Sequence, residues 1–516
     1  MTQSDLPKIL RSRKSFARLV AALIAGALAA VLSVVITVPP GLGLDPDAAS
    51  YLGAAQSLAS GRGYRIPISD WLSRDTTSAL AHFPPGYPTA ITGSILFGGQ
   101  PVNAARAVNA IAVFVSVALA LWLVANVAGL IAGIIAAVSL LAMPAFVELH
   151  QSVLSEPMFL ACIMGALCAM VSAARQTEER VRLQRALTAG ALAATAMLTR
   201  YAGAAVIASV CLWMFLLPGT ATARLRRALT ASLPAIVLVG SWIIHVHLTS
   251  SVTGIRTIAT YGGFLDAMRM GFDTIVAWMV PLMSDQTLPG REWIALVGVI
   301  ALCFVIVSAY RTARGSIARV AIAASLTIAA CYVIVLLASR LLADPNIPFD
   351  NRLLSPLFVL VVVIAAIAIR EWWPRNPPFA RIACAALVLA WFAASITVSQ
   401  DEVSWALENG QDFGQEQWRQ SPLLAWAQAN AARKPLYTNW PAAVFFHLHR
   451  ASHELPRDST ADVLRAFADT LRARDGVVIV FDQPSPDQIG ASALERSSRL
   501  RQVTRVTDGS AFGATP

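Results

Sequence analysis

Long apolar runs alternate with short basic segments along the first 400 residues of the chain. Each run is near the ~20 residues that an α-helix needs to cross the hydrocarbon core of a bilayer. The pattern therefore predicts a polytopic α-helical membrane protein with about eleven transmembrane helices. The predicted spans are residues 19–38, 103–125, 127–147, 153–174, 186–200, 203–217, 228–249, 292–309, 319–342, 353–370 and 380–400.

The basic residues predict the topology, because connections on the cytoplasmic side carry an excess of arginine and lysine. They fall in every second connection: Arg175, Arg180, Arg182 and Arg185, then Arg224, Arg226 and Arg227, then Arg311, Arg314 and Arg319, then Arg370, Arg375 and Arg381. We therefore expect a cytoplasmic N-terminus that begins an uncleaved first helix. The outer side then receives the loops 39–102, 148–156, 250–291 and 343–352 and the C-terminal tail. The short spans 186–200 and 203–217 are kept separate, since merging them would place the later arginine clusters outside.

The chain becomes polar after Gln400. Residues 436–439 and 476–481 resemble short strands, and 415–433, 460–474 and 485–497 resemble amphipathic helices. Strands that alternate with helices predict a small α/β domain on the outer face. The predicted domains are thus residues 1–400, which include a large first outer loop at 39–102, and residues 401–516.

Composition agrees with a membrane protein. Hydrophobic residues make up 56% of the chain, charged residues 14%, and the mean hydropathy is +0.60. A soluble chain would carry roughly 25% charged residues. The net charge of +10 comes from the arginine clusters, so it indicates contact with anionic membrane lipids rather than with nucleic acid. The six cysteines lie inside apolar runs without a CxxC pair, which favours small buried side chains over disulfides or a metal site.

Carboxylates stand at the outer ends of two predicted spans. Asp45 and Asp47 follow the first span, and Glu156 begins the span 153–174. Pro46 and Pro157 suit a first helical turn, so capping is an alternative role for all three acids. Two carboxylates at a membrane interface favour a functional role, since such residues are costly there.

Two arginines are predicted on the same outer side. Arg200, next to Tyr201, and Arg352 each follow or begin a span. Arginine binds phosphate through two parallel hydrogen bonds, although a snorkelling arginine is the common alternative. The histidine sets, His245 with His247 and His447 with His449 and His453, lack the spacing or the companions of a metal site, which favours surface histidines.

Short motifs in this order resemble the C-type polytopic glycosyltransferases, in particular bacterial relatives of protein O-mannosyltransferases and the lipid A aminoarabinose transferase. The resemblance covers most of the chain. Its motifs are Asp47 with Tyr51, Gly61–Tyr64, Pro84–Pro88, Ser155–Pro157, Thr199–Tyr201, Asn351–Pro356 and Tyr437–Pro441.

The resemblance implies transfer of a sugar from a polyprenyl-phosphate donor to a glycolipid, glycan or protein acceptor. The reaction would occur at the outer face of a bacterial cytoplasmic membrane, by an inverting single displacement. By that resemblance Asp47 is the catalytic aspartate and Asp45 a helper or metal-proximal residue. The expected substrate-binding residues are Glu156, Arg200, Tyr201, Arg352, Tyr87 and His82. The family often has an acidic or bulky residue after its aspartate, whereas Ala48 and Ala49 follow here, which leaves a divalent cation and the acceptor open.

A transporter or flippase of lipid-linked sugars is the alternative from another class. Transporters place ionisable residues near the membrane midplane on broken helices and show repeat symmetry. Here the charges gather at the outer ends of the spans. A non-catalytic scaffold would leave Asp47, Glu156 and Arg352 without a role, so we rank the enzyme first.

Overall fold

The computed structural model describes residues 6–249, 261–283, 286–485 and 488–515, with side chains from residue 14 onward. The predicted outer loop 250–291 and the predicted helix 485–497 lie partly outside the described residues. The α-helices are α1 (Leu6–Ile36), α2 (Pro46–Ala59), α3 (Gly86–Leu96), α4 (Pro101–Ala128), α5 (Leu130–Ala142), α6 (Pro144–Gln151), α7 (Glu156–Ala174), α8 (Glu179–Thr199), α9 (Ala204–Leu216), α10 (Ala221–Thr249), α11 (Phe264–Met279), α12 (Arg291–Thr312), α13 (Ile317–Leu342), α14 (Asn351–Trp372), α15 (Pro378–Asn409), α16 (Glu416–Arg419), α17 (Pro422–Asn430), α18 (Pro441–Leu448), α19 (Ala461–Arg474) and α20 (Ala491–Glu495). The strands are β1 (Gly43–Leu44), β2 (Arg65–Ile66), β3 (Ile68–Ser69), β4 (Ser78–Ala79), β5 (Gln411–Asp412), β6 (Leu436–Thr438), β7 (Ser452–Glu454), β8 (Val477–Phe481), β9 (Leu500–Val506) and β10 (Gly509–Ala514).

Helix occupies each of the predicted spans, but fewer of these helices are suited to crossing a bilayer alone. Among the described residues, eight helices have the required length and apolarity, and nine if a bent pair forms one span. That pair is α5 and α6, which meet at 63° beside Pro144. The predicted count of about eleven is not confirmed: α9 has 13 residues, and the first half of α8 carries charged side chains.

Contacts divide the chain into two compact units, and the first contains the membrane helices. It comprises Met1–Ile36, Phe83–Tyr87 and Arg106–Ser404. Its core is a continuous cluster of aliphatic residues in which small residues allow close helix approach. A Cβ atom on Gly190 of α8 would lie 2.0 Å from the carbonyl oxygen of Ala231 of α10. This contact fixes α8 and α10 as close neighbours.

The second unit is an α/β structure that includes most of the predicted first outer loop. It comprises Thr37–His82, Pro88–Ala105 and Trp405–Pro516. Its six-stranded sheet has the order β3-β7-β6-β8-β10-β9, and β3 pairs in parallel with β7 through Ile68 and Ser452. Residues 39–102 were predicted to belong to the membrane domain. In the structure, residues 37–82 belong to the same unit as the C-terminal region, because the short strand β3 takes β7 as its hydrogen-bonding partner.

Several elements carry too weak a local pattern for the sequence analysis to find them. Helix α11 lies in the predicted loop 250–291, and its 16 residues are too few for a span. The strands β7, β9 and β10 extend the sheet around the predicted strands, which correspond to β6 and β8. Strands this short gain their stability from their neighbours rather than from local propensity.

Candidate active site

Asp45 and Asp47 stand at the start of α2, in the second unit. Strand β1 leads into this helix and pairs in parallel with β5, with Leu44 opposite Asp412. The Phe413 amide donates to the Leu44 carbonyl at 3.2 Å. The chain that carries the two acids is therefore anchored to residues more than 360 positions away.

The cap of α2 is Asp45. Its Oδ1 accepts a hydrogen bond from the Ala48 amide at 2.9 Å, and Pro46 occupies the first turn. The capping role that the sequence left open for Asp47 thus belongs to its neighbour. Asp47 lies in the first turn with a partly exposed side chain, where a negative charge is favoured by the helix dipole.

Three of the predicted residues meet in the first unit around a buried carboxylate. Glu156 begins α7, and its side chain is 1% exposed. Its Oε1 lies 2.5 Å from Nη1 of Arg200 and 2.9 Å from Nε of Arg352. A buried carboxylate needs such partners, because its desolvation costs several kcal/mol.

This arrangement, which we call the Glu156 cluster (Glu156, Arg200 and Arg352), carries one positive charge in excess. The side chains of Arg200 and Arg352 remain 18% and 30% exposed. A phosphate matches the planar N–H fork of a guanidinium, so two guanidiniums side by side are chemically suited to a phosphate group.

The loop Phe83–Tyr87 supports the Arg200 side of the cluster. Arg200 follows the last residue of α8, and its Nη1 also lies 3.3 Å from Ser155 Oγ. A Cβ atom on Gly86 would lie 2.6 Å from the Leu198 carbonyl oxygen, so the loop backbone packs directly on the end of α8. The Tyr87 hydroxyl donates to Asn109 Oδ1 at 2.9 Å, and Asn109 Nδ2 donates to the Ser152 carbonyl.

The Arg352 side is fixed by the start of α14. The Leu353 amide donates to Oδ1 of the cap residue Asp350 at 3.0 Å. Asn351 uses both ends of its amide: Nδ2 donates to Glu148 Oε2, and Oδ1 accepts from Trp278 Nε1, each at 3.0 Å. These bonds come from α6 and α11, so Arg352 leaves a helix start that neighbouring helices hold.

The remaining predicted substrate residues have different environments. Tyr87 is fully buried, and its hydroxyl is bonded to Asn109. Tyr201 is 41% exposed, and its hydroxyl accepts from Trp242 Nε1 at 3.2 Å. His82 is exposed and belongs to the second unit, as do Asp45 and Asp47.

The prediction of surface histidines was wrong for His453. This residue is 1% exposed, and its Nδ1 lies 2.8 Å from Ser69 Oγ and 3.1 Å from the Asp70 carbonyl. Burial lowers the pKa of His453 from its ordinary value of 6.5. Within the described residues, no three His, Cys, Asp or Glu side chains form a group suited to a metal ion.

Sequence reasoning missed Asn109 and Trp278, which support the cluster through the contacts above. Asn109 had a usable signal, because a polar amide inside an apolar span needs a partner. Trp278 had none, since its role depends on the position of Asn351 at the start of α14.

Comparisons with known proteins support the resemblance drawn from the motifs. Residues 82–245 match the family model of dolichyl-phosphate-mannose-protein mannosyltransferase. A comparison with curated proteins finds no match.

The chain is similar in structure to solved membrane glycosyltransferases. ArnT from Cupriavidus metallidurans bound to undecaprenyl phosphate superposes with a TM-score of 0.57 at 15% identity, over 96% of this chain and 99% of that one. AglB from Archaeoglobus fulgidus, in complex with an inhibitory peptide and a dolichol-phosphate, gives 0.55 at 12% identity, over 89% and 69%. The mycobacterial arabinofuranosyltransferase AftD gives 0.52 at 13% identity, over 95% of this chain and 41% of that one.

The family resemblance is therefore confirmed at the level of the fold: the chain has the C-type glycosyltransferase fold of a multi-pass membrane protein. Another similar structure is that of the Archaeoglobus fulgidus oligosaccharyltransferase, solved in complex with Zn and sulfate.

Proposed function

We propose that this chain is a glycosyltransferase that moves a sugar from a polyprenyl-phosphate donor to an acceptor at the outer face of the bacterial cytoplasmic membrane. The observation that carries the proposal is the Glu156 cluster, in which two partly exposed guanidiniums share one buried carboxylate oxygen. The fold supports it, because ArnT and AglB were solved with polyprenyl-type lipid phosphates.

Arg200 and Arg352 hold the lipid phosphate in this reaction. When the bond between the sugar C1 and the phosphate oxygen breaks, negative charge grows on the phosphate. Two preorganised cations stabilise that charge more strongly than they stabilise the intact donor, which is how an electrostatic site accelerates a reaction. Glu156 keeps the two guanidiniums in place, and because both ion pairs converge on its Oε1, we assign it positioning rather than proton transfer.

Asp47 is the general base of the proposed reaction. Its carboxylate takes the proton of the acceptor hydroxyl or amine while the acceptor atom bonds to C1, and the lipid phosphate leaves with the electron pair of the broken C1–O bond. One displacement of this kind inverts the configuration at C1. Asp45 holds the first turn of α2 as its cap, so Asp47 is presented from a fixed backbone.

The decisive experiment incubates the purified full-length protein with a panel of polyprenyl-phosphate sugars and measures the release of free lipid phosphate. A parallel series with a chelator tests whether a divalent cation contributes. Arg352→Ala should lose release, whereas Arg269→Ala, which removes an exposed arginine of α11 outside the cluster, should retain it.

Two results would overturn the proposal. Absence of lipid phosphate release with every donor and acceptor, from folded protein, would remove the enzymatic assignment. Movement of intact donor across reconstituted vesicles without release would instead support the transporter.

A further inference from the structure

Helix α14, which carries Arg352, lacks one of its regular backbone hydrogen bonds because a proline lies inside it. Pro356 is buried in α14, and proline has no amide hydrogen. In a regular helix, the amide at this position would donate to the carbonyl four residues earlier, which is the carbonyl of Arg352. The residue that pairs with Glu156 therefore also carries the carbonyl that the helix leaves to another donor.

A serine hydroxyl takes the place of the missing amide. Ser355 is buried, and its Oγ donates to the Arg352 carbonyl at 2.7 Å. The next carbonyl along the helix, that of Leu353, accepts from the hydroxyl of the buried Tyr332 of α13 at 2.8 Å. Two buried side chains thus hold two successive carbonyls near the start of α14. Because a buried carbonyl without a donor is costly, these bonds restrict the orientation of the turn.

The orientation of this turn sets the position of the Arg352 side chain. The carbonyl that Ser355 binds belongs to Arg352 itself, so a rotation of that peptide also moves the Cα atom from which the side chain extends. The Nε of Arg352 lies 2.9 Å from Oε1 of Glu156. A displacement of the turn would disturb this bond, since hydrogen bonds weaken as their distance and angle depart from the preferred values.

We propose that Ser355 is a positioning residue for the lipid phosphate site: its hydroxyl replaces the amide that Pro356 lacks, and so it orients Arg352. This inference rests on the function proposed above, and it assigns Ser355 no contact with the substrate. Tyr332 supports the same turn from α13. The inference gives the adjacent serine and proline of the Asn351–Pro356 motif one shared role.

The test measures the binding of undecaprenyl phosphate to the purified full-length protein, together with the apparent KM for a polyprenyl-phosphate sugar. Ser355→Ala should weaken binding roughly twofold to tenfold, the scale of one hydrogen bond, and should raise the KM similarly. The matched control is Ser209→Ala. Ser209 is buried in α9, and its Oγ also donates to a carbonyl of its own helix, that of Ala205. Helix α9 contains no proline, so binding should stay unchanged.

Two double variants show whether Ser355 acts through Arg352. In an Arg352→Ala background, Ser355→Ala should cause no further loss of binding, because the side chain that it positions is gone. Pro356→Ala returns an amide to the Arg352 carbonyl, so Ser355→Ala with Pro356→Ala should recover most of the binding that Ser355→Ala alone loses. A serine that only supports folding would instead give additive losses and no recovery.

Three results would overturn the role of Ser355: unchanged binding in Ser355→Ala, additive losses with Arg352→Ala, or no recovery with Pro356→Ala. If Ser355→Ala does not fold, Tyr332→Phe takes its place in the cycle with Arg352→Ala, and additive losses there would overturn the inference.

The proposed function fails by a different result. A wild-type protein that binds undecaprenyl phosphate but releases none from any sugar donor would remove the transfer reaction, while the binding cycle would still decide the role of Ser355. A wild-type protein that binds no undecaprenyl phosphate would overturn both.

Discussion

Arg200 and Arg352 both form ion pairs with the same carboxylate oxygen of Glu156. This geometry determines the roles that we assign to the three residues. With its side chain buried and Oε1 shared, the carboxylate of Glu156 is a counter-ion to both guanidiniums. Without it the like charges of the two arginines would repel each other, which would disturb the phosphate site that we propose. In the proposed site, Glu156 matters for phosphate binding because it holds Arg200 and Arg352 in place.

The geometry of Arg352 is predicted to matter as well as its charge. Arg352→Lys keeps a cation but loses Nε, which makes the 2.9 Å bond to Glu156, and loses the planar fork. We expect a several-fold rise in apparent KM for the lipid donor at unchanged protein yield, measured by initial rates over a donor titration. If Arg352→Ala leaves the apparent donor affinity unchanged, Arg352 only pairs with the buried Glu156 and the phosphate site lies elsewhere.

The base assignment predicts a contrast between neighbouring acids. Asp47→Asn keeps the size of the side chain but removes its basicity, so turnover should fall on the order of a hundredfold or more. Its thermal midpoint should hardly change, because the cap of α2 is Asp45. Turnover and thermal unfolding of each purified variant give the measurement.

The matched control is Asp45. Asp45→Ala should destabilise the start of α2 by about 1 kcal/mol, and Asp45→Asn should not, because asparagine caps equally well. Near-normal transfer by Asp47→Asn would contradict the proposed base.

At the scale of an element, the loop Phe83–Tyr87 depends on the absence of one side chain. Gly86→Ala would place a methyl group 2.6 Å from the Leu198 carbonyl, and backbone there cannot move without displacing the end of α8. We expect a lower thermal midpoint together with weaker donor use, because Arg200 follows directly. Gly86 is the first residue of α3, and Gly93→Ala in the same helix, where an added Cβ meets nothing within 4 Å, should be tolerated. Equal behaviour of the two variants would separate the loop from the Glu156 cluster.

The strand β3 and the turn after it form an element whose attachment we predict to weaken at low pH. His453 contacts Ser69 and the Asp70 carbonyl, while Arg474 donates to the carbonyls of Trp71 and Leu72. Burial chiefly, and the charge of Arg474, lower the pKa of His453, while the Asp70 carbonyl and carboxylate oppose this.

The folded protein therefore binds fewer protons at this site than the unfolded chain. Stability from neutral His453 should be constant above pH 6.5, the ordinary histidine pKa, and should fall as the pH drops below it. His453→Phe keeps the stacking on Tyr437 and should flatten the difference between thermal midpoints at pH 8 and pH 5. An unchanged pH dependence in this variant would assign the effect to other groups, such as His447.

For the whole molecule, the arginine clusters predict a topology that a reporter can test. With a cytoplasmic N-terminus, residues 401–516 lie outside. An alkaline phosphatase fusion after Gln400 should be active, and a β-galactosidase fusion at the same point should not. The reverse pattern would mean that the number of spans before Gln400 differs by one from the predicted topology.

The sequence by itself determined the local features of this protein. Apolar runs predicted each segment that forms a membrane helix, because burying such a run depends on its own composition. Proline and aspartate next to the start of α2 indicated a cap, although only the backbone showed that the cap is Asp45. The arginine clusters likewise predicted which helix ends lie on the cytoplasmic side of the membrane.

Tertiary structure decided the contacts between distant residues. Arg352 reaches Glu156 across 196 positions, and Ser69 reaches His453 across 384. No local periodicity encodes such pairs, because they depend on how helices and strands pack. The same packing buried Tyr87 and paired β3 with β7. A motif can thus identify which residues matter. Packing decides whether a residue contacts the substrate, positions another side chain or supports the backbone.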